Sequence, residues 1–102
     1  MVYPIALHIE GRRCLIIGGG SVALRKAQTL LSEGAVVTVI SPSLMEDFHA
    51  LEIIHIADTY QTSYLEDFRP LLVFAATDND SVNRQIVEDS RAAGILVNSV
   101  DG

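Results

Sequence analysis

Residues 18–23 read Gly-Gly-Gly-Ser-Val-Ala, and this stretch decides the fold of the chain. It follows the apolar run Cys-Leu-Ile-Ile at 14–17 and opens a segment with helical periodicity. In such a G-x-G-x-x-A pattern Gly18 permits a tight turn from strand to helix, Gly20 lets bare backbone approach a pyrophosphate, and Ala23 lets the helix pack closely on the strand. The pattern predicts a dinucleotide-binding loop at a helix N-terminus, and the alternative is a glycine-rich turn that binds nothing.

Length and composition predict one compact domain that spans residues 1–102. The chain has 102 residues, of which 49% are hydrophobic and 20% are charged, enough to bury a modest core. No apolar stretch approaches the roughly 20 residues of a membrane span, and the first residues lack the features of a secretory signal, so we expect a cytoplasmic protein without a membrane partner. Thirteen acidic and seven basic side chains give a formal charge of −6, which disfavours nucleic acid as a partner.

The sequence predicts no metal site and no reactive thiol. Cys14 is the only cysteine and falls within a predicted buried strand, so we interpret it as a packing residue. His8, His49 and His55 lack the spacing of metal ligands on a helix or turn.

Apolar β-rich runs alternate with amphipathic segments along the chain. Strands are predicted at 13–17, 36–40, 53–56, 71–75 and 95–97, the last with an extension to 99. The first helix is predicted over 21–33 with Gly34 as its stop, and its inward-facing residues are Val22, Ala23, Ala27, Leu30 and Leu31. A short helix is predicted over 44–51, and a longer one continues to Ala93 from a cap at Asp78, Asn79 or Asp80.

Two further segments have weaker patterns. We expect a loop that includes Tyr60 and Tyr64, and a small strand over 5–9 that pairs with the first core strand.

This alternation predicts an α/β fold: a Rossmann-like, doubly wound, mainly parallel five-stranded sheet with helices on both faces. The usual strand order places the first and fourth core strands side by side, with a crevice at their carboxyl ends. Residues 18–22, 41–43 and 76–78 should therefore converge on one edge, with Asn98 and Asp101 on the same rim.

The residue at the end of the second strand bears on cofactor choice. Many dinucleotide-binding loops are followed about 20 residues later by an acid that holds the adenosine ribose, but this chain has Ser41 there. A serine can bond one hydroxyl, and no arginine stands nearby to neutralise a 2′-phosphate, so NAD is the expected cofactor. The alternative interpretation of Ser41-Pro42 is a simple strand terminator.

Several segments together resemble the precorrin-2 dehydrogenase and sirohydrochlorin ferrochelatase family of siroheme-synthesis enzymes. The similarity covers nearly the whole chain. Its motifs are Tyr3-Pro4, Gly11-Arg12-Arg13, the 18–23 loop followed by Arg25-Lys26, LSEGAVVTVISPS at 31–43, VFAATDN at 73–79, Val82-Asn83, and VNSVD at 97–101.

The resemblance implies NAD-dependent oxidation of precorrin-2 to sirohydrochlorin and, in some members, a lyase step that inserts ferrous iron. The implied cofactor contacts are Ser21, Val22, Pro42, Ser43, Ala76, Thr77, Asp78 and Asn79, which join Gly18, Gly20 and Ser41. The implied general base is Asp101, which would accept the proton released with the hydride. We expect Asn83 to bond backbone or solvent, and Thr77 has a plain strand-end cap as its alternative role.

Family members continue past the position of Asp101 into a dimerisation region and a C-terminal helical part. The sequence therefore predicts a homodimer for the full-length protein, and weak turnover by these 102 residues alone. The tetrapyrrole carries eight carboxylates, which basic residues elsewhere would have to balance.

Three alternative functions remain open from the sequence. The first is a non-catalytic regulatory domain that senses a dinucleotide, the second is a metal-insertion enzyme without redox activity, and the third is an interaction protein with no ligand.

Overall fold

In a computed structural model that describes residues 2–100, the chain forms five strands, three α-helices and one 3₁₀ helix within those residues. The strands are β1 (Arg13–Ile17), β2 (Val36–Ile40), β3 (Ile54–Ile56), β4 (Leu72–Ala75) and β5 (Leu96–Ser99). The helices are α1 (Ser21–Ser32), α2 (Ser63–Phe68) and α3 (Asp80–Ala92), and the 3₁₀ helix spans Glu46–Ala50.

The strands form one sheet in the order β3-β2-β1-β4-β5, with every pair parallel. In the sheet Ile17 lies beside Ile40 of β2 on one side and Ala75 of β4 on the other. The Rossmann-like α/β fold predicted from the sequence is confirmed. So is the adjacency of the first and fourth core strands, which places the carboxyl ends of β1, β2 and β4 together.

The two faces of the sheet carry separate apolar layers. Cys14 and Ile16 of β1 pack on the layer formed with α1, whereas Leu15 and Ile17 pack on the layer that includes Leu65 of α2 and Ile86 of α3. Because β1 is covered on both faces, its apolar residues run continuously instead of alternating with polar ones.

The predicted ends of the two long helices are confirmed. After α1, the Gly34 N–H donates to Leu31 O and the Ala35 N–H to Leu30 O, with Gly34 at φ 82°. Gly94 ends α3 in the same way, at φ 70°. This is a Schellman motif, which favours glycine because the residue adopts the left-handed conformation. It turns the chain directly into the following strand.

The buried face of α1 differs slightly from the predicted one. Ala23, Leu24, Ala27 and Leu30 are buried, whereas Val22 and Leu31 are only half-buried. Leu24 was missing from the predicted stripe because a helix that lies on a sheet buries a wider band than a narrow seam does.

Two predictions about weaker segments were wrong. Residues 5–9 form no strand, because β1 already has β2 and β4 as neighbours and offers no free edge. Tyr64 lies in α2 instead of a loop, since this helix of six residues is too short for a clear period in the sequence. None of the helices within residues 2–100 is long and apolar enough to cross a membrane.

Candidate functional site

A cleft of about 1060 Å³ lies at the carboxyl ends of the central strands. The loops after β1, β2, β3 and β4 line it, and Val100 also contributes. Every residue predicted to contact a cofactor lies in its wall: Gly18, Gly20, Ser21, Val22, Ser41, Pro42, Ser43, Ala76, Thr77, Asp78 and Asn79. The predicted base Asp101 lies outside the described residues.

Two glycines of the loop after β1 allow three loops to meet. Gly18 has φ 132°, and a Cβ there would overlap the carbonyl oxygen of Ala76. A Cβ on Gly19 would overlap the carbonyl oxygen of Ser43 and lie 2.8 Å from the Oγ of Ser41. Gly19 occupies the variable position of the motif, so sequence reasoning gave it no role. A glycine is required at position 19 because the loop after β2 lies against it, and only the tertiary structure brings that loop close.

Gly20 has a different role from its two neighbours. It precedes α1 as the N-cap with φ −96° and ψ −164°, an extended conformation open to any residue, and a Cβ there would meet no atom within 4 Å. Its lack of a side chain therefore leaves space in the cleft where one would otherwise project. No side chain of the described residues caps α1. The first turn of this 12-residue helix thus offers backbone N–H groups to an anion, which fits the pyrophosphate of a dinucleotide.

Ser41 shapes the turn after β2. The residue is 8% exposed, and its Oγ donates to the carbonyl oxygen of Ser43 at 2.6 Å. The Nε2 of His55 lies 2.9 Å from the carbonyl oxygen of Ser41. Since the hydroxyl proton is used within the turn, Ser41 can offer a ligand only its acceptor capacity. Pro42 and Ser43 are the exposed residues of this wall.

The buried side chain of Asn83 holds the loop after β4. Its Oδ1 accepts from the Thr77 backbone N–H at 3.1 Å and from Thr77 Oγ1 at 2.7 Å, and its Nδ2 donates to the Thr77 carbonyl at 3.1 Å. The prediction that Asn83 bonds backbone is confirmed. Thr77 is thereby held from both sides, which determines the shape of the cleft next to Ala76.

Asn79 is the residue that caps α3 among the three predicted candidates. Its Oδ1 accepts from the backbone N–H groups of Ser81 at 3.0 Å and Val82 at 3.1 Å. This side chain is therefore engaged within the protein, whereas the neighbouring Asp78 is exposed in the cleft wall.

The loop after β3 forms a wall that sequence reasoning missed. Asp58, Thr59 and Tyr60 line the cleft. The hydroxyl of Tyr64 donates to Asp58 Oδ2 at 2.5 Å, and the Thr59 N–H donates to Oδ1 at 2.8 Å. The segment has no glycine motif and little periodicity, so its position at the cleft follows from the pairing of β3 with β2.

Asp89 of α3 holds the loop after β3 against this helix through hydrogen bonds. Its Oδ2 accepts from Tyr60 at 2.8 Å and Thr62 at 2.9 Å, and its Oδ1 accepts from Gln85 at 2.8 Å. Burial raises the pKa of Asp89, but the three hydrogen bonds outweigh it and lower the pKa overall. Burial, followed by the bond to Asp89, raises the pKa of Tyr60.

Other reactive groups do not converge in the described part of the molecule. Within residues 2–100, no three His, Cys, Asp or Glu side chains group as metal ligands would. Burial raises the pKa of the Cys14 thiol, and the nearby charge of Arg12 opposes this effect only in part. A buried neutral thiol is a poor nucleophile.

The sequence matches the family described as "Putative NAD(P)-binding" over residues 5–102. The chain belongs to this family. The NAD(P)-binding chain is 44% identical over 103 residues to the siroheme synthase of Chromobacterium violaceum, a match covering 97% of this chain and 22% of the relative. It is 42% identical to the siroheme synthase of Nitrosomonas eutropha, with 97% and 21% covered.

Among solved structures, SirC, a precorrin-2 dehydrogenase, superposes with a TM-score of 0.81 at 25% identity, covering 99% of this chain and 50% of that one. The chain thus spans about a fifth of the length of the siroheme synthases and half of SirC. These comparisons confirm the predicted fold and resemblance, and they confirm a dinucleotide cofactor of the NAD(P) class.

Proposed function

We propose that this chain is the NAD-binding domain of an enzyme that oxidises precorrin-2 to sirohydrochlorin in siroheme synthesis. One observation carries the proposal: the glycine loop, the turn 41–43 and the loop 76–79 meet in one cleft, in a chain 44% identical to a siroheme synthase. The similarity to SirC, a precorrin-2 dehydrogenase, supports the same reaction.

The chain's own residues would bind and orient the cofactor. The N-terminus of α1 would hold the pyrophosphate, Gly20 leaves room for it, and Pro42 with Ser43 would border the adenosine half. Asn83 would act as a positioning residue, because it holds Thr77 at the opposite wall. When bound, NAD supplies the hydride acceptor for the oxidation.

Oxidation of precorrin-2 also releases a proton, and we propose that Asp101 is the general base that accepts it. Val100, the preceding residue, lines the cleft, and its N–H donates to the carbonyl oxygen of Ala75 at 3.1 Å. A carboxylate next in sequence is a suitable general base for a proton lost together with a hydride. Ferrous iron insertion, a homodimer and a cytoplasmic location stay predictions.

The first test is calorimetric titration of the chain with NAD and NADP. Saturable NAD binding is expected, and Gly20→Val should weaken it at least about tenfold, because the new side chain occupies the space reserved for the pyrophosphate. NADP should bind more weakly, because no Lys or Arg is among the described residues that line the cleft. Ala92→Val is the matched control: it adds bulk at an exposed position of α3 and should leave the affinity unchanged. Equal NAD binding by Gly20→Val and the wild type would place the cofactor elsewhere.

A chimera tests the reaction itself. The chain would replace the matching segment of the Chromobacterium violaceum siroheme synthase, and NADH formation from precorrin-2 would be followed. Asp101→Asn should lower kcat/KM about 100-fold or more without weakening NAD binding. Asp47→Asn removes an acid that is exposed outside the cleft wall, and serves as the control. Full activity of Asp101→Asn would exclude this residue as the base, and an inactive chimera of sound fold would contradict the proposed function.

A further inference from the structure

The carboxylate of Asp58 follows β3, the strand that pairs with β2. At the end of β2 itself, where many dinucleotide-binding folds have an acid, this chain has Ser41. In the β2–β3 pair Ile40 is opposite Ile56, and the Ser41 N–H donates to the Ile56 carbonyl at 3.1 Å. The Asp58 N–H donates to the same carbonyl at 3.0 Å, so the chain turns sharply after β3 and brings Asp58 into the cleft wall. The cleft therefore contains an acidic side chain, Asp58, at the end of β3 and not at the end of β2, where the usual acid is expected.

The carboxylate is held in place but retains capacity to bind. Each of its oxygens accepts one hydrogen bond from the protein, Oδ1 from the Thr59 N–H and Oδ2 from the Tyr64 hydroxyl. A carboxylate has about four acceptor positions, so each oxygen keeps one for a ligand. Asp58 is half-buried, and no Lys or Arg of the described chain lines the cleft. A group that donates a hydrogen bond is therefore the ligand that suits this position.

The strand order indicates which part of a dinucleotide would supply that donor. The pyrophosphate belongs at α1, directly after β1, and neighbouring strands are about 4.8 Å apart. Asp58 follows β3, two strands away, and so lies on the order of 10 Å across the sheet edge from the pyrophosphate site. A dinucleotide whose pyrophosphate is held there would place its adenosine ribose near the turn 41–43, between the two positions. Its adenine is then the part that would reach Asp58.

We infer that Asp58 recognises the adenine of NAD by accepting a hydrogen bond from its exocyclic amino group. The inference rests on the proposed function, because it assumes that NAD occupies this cleft. Tyr64 acts as a positioning residue, since its hydroxyl holds Oδ2.

The test compares NAD with nicotinamide hypoxanthine dinucleotide, in which a carbonyl oxygen replaces the amino group and the neighbouring ring nitrogen N1 gains a hydrogen. The wild-type chain should bind NAD about tenfold more tightly, because the carbonyl oxygen takes the position of the amino group and is repelled by the carboxylate, while the N1 hydrogen lies one ring position away. In Asp58→Asn the amide can donate to that oxygen, so NAD binding should weaken, binding of the analogue should strengthen, and the ratio of the two affinities should fall to about one or below. If Asp58 had only a structural role, Asp58→Asn would weaken the binding of both dinucleotides equally and leave the ratio of their affinities unchanged.

Controls and contrary outcomes separate this inference from the proposed function. Asp47→Asn makes the same change of charge outside the cleft and should keep the wild-type ratio. If Asp58→Asn fails to unfold cooperatively, Asp58→Ser replaces it, because serine can still accept from the Thr59 N–H. Equal wild-type affinities for the two dinucleotides would overturn the inference while the proposed function stands. Binding of neither would overturn both.

Discussion

The three consecutive glycines of the loop after β1 have separable roles. Gly18 and Gly19 lie against backbone carbonyls of two other loops, so a side chain on either would displace those loops. Gly20 has no atom within 4 Å of its virtual Cβ and needs no special backbone angle. Stability should therefore depend on the first two glycines, and ligand binding on the third.

Alanine substitutions distinguish these roles. Gly18→Ala should lower the free energy of unfolding by about 3 kcal/mol or more, because it combines an unfavourable φ of 132° with overlap of the Ala76 carbonyl. Gly20→Ala should cost less than about 1 kcal/mol, the usual loss at an N-cap. Urea denaturation of both variants measures the difference. Equal losses would contradict the assignment of separate roles.

At the scale of elements, α3 organises two walls of the cleft. Its N-cap Asn79 and its buried Asn83 hold the loop after β4, and Asp89, two turns further on, holds the loop after β3 through Tyr60 and Thr62. A single rigid helix thus sets the relative positions of two loops that are distant in sequence.

Removing the carboxylate of Asp89 should loosen the second of these walls. Asp89→Ala leaves the partly buried Tyr60 hydroxyl without its acceptor and should lower the free energy of unfolding by about 1.5–3 kcal/mol. Urea denaturation checks the loss, and amide hydrogen exchange should show reduced protection over residues 58–62.

Glu88→Ala is the matched control for this variant. Glu88 is exposed on the same helix, so its substitution should change stability by less than about 0.5 kcal/mol. Equal effects of the two variants would show that Asp89 contributes no more than an exposed surface charge.

At the scale of the whole molecule, stability should decline in alkaline solution. Burial and the bond to Asp89 raise the pKa of Tyr60, and the bond to Asp58 followed by burial raises the pKa of Tyr64. Above about pH 10 the unfolded chain loses these phenolic protons while the folded protein keeps them, so the free energy of unfolding falls as pH rises.

Urea denaturation at about pH 8 and about pH 11 measures the decline. The double variant Tyr60→Phe and Tyr64→Phe should show a shallower fall than the wild type, because its folded state no longer holds those protons. Tyr3 is 87% exposed, so the free energy of unfolding of Tyr3→Phe should fall with pH as much as that of the wild type. An identical decline in all three proteins would assign the alkaline instability to other groups.

Much of the fold could be predicted because its signals are local. Runs such as Val36–Ile40 indicate buried strands, and Gly34 and Gly94 mark helix ends through their own backbone conformation. The short helix around Tyr64 and the unpaired segment 5–9 were not predicted correctly. The first offers fewer than two turns of periodicity, and the second depends on whether a neighbouring strand edge is free.

The sequence by itself determined the α/β fold, the cofactor class and the three segments that meet in the cleft, because each is encoded by residues adjacent along the chain. Only the tertiary structure decided that Gly19 must be a glycine, that Asn83 holds Thr77, and that Asp58 enters the cleft. Each of these depends on atoms from elements distant in sequence. Such contacts arise when the parallel sheet brings the carboxyl ends of its strands to a common edge.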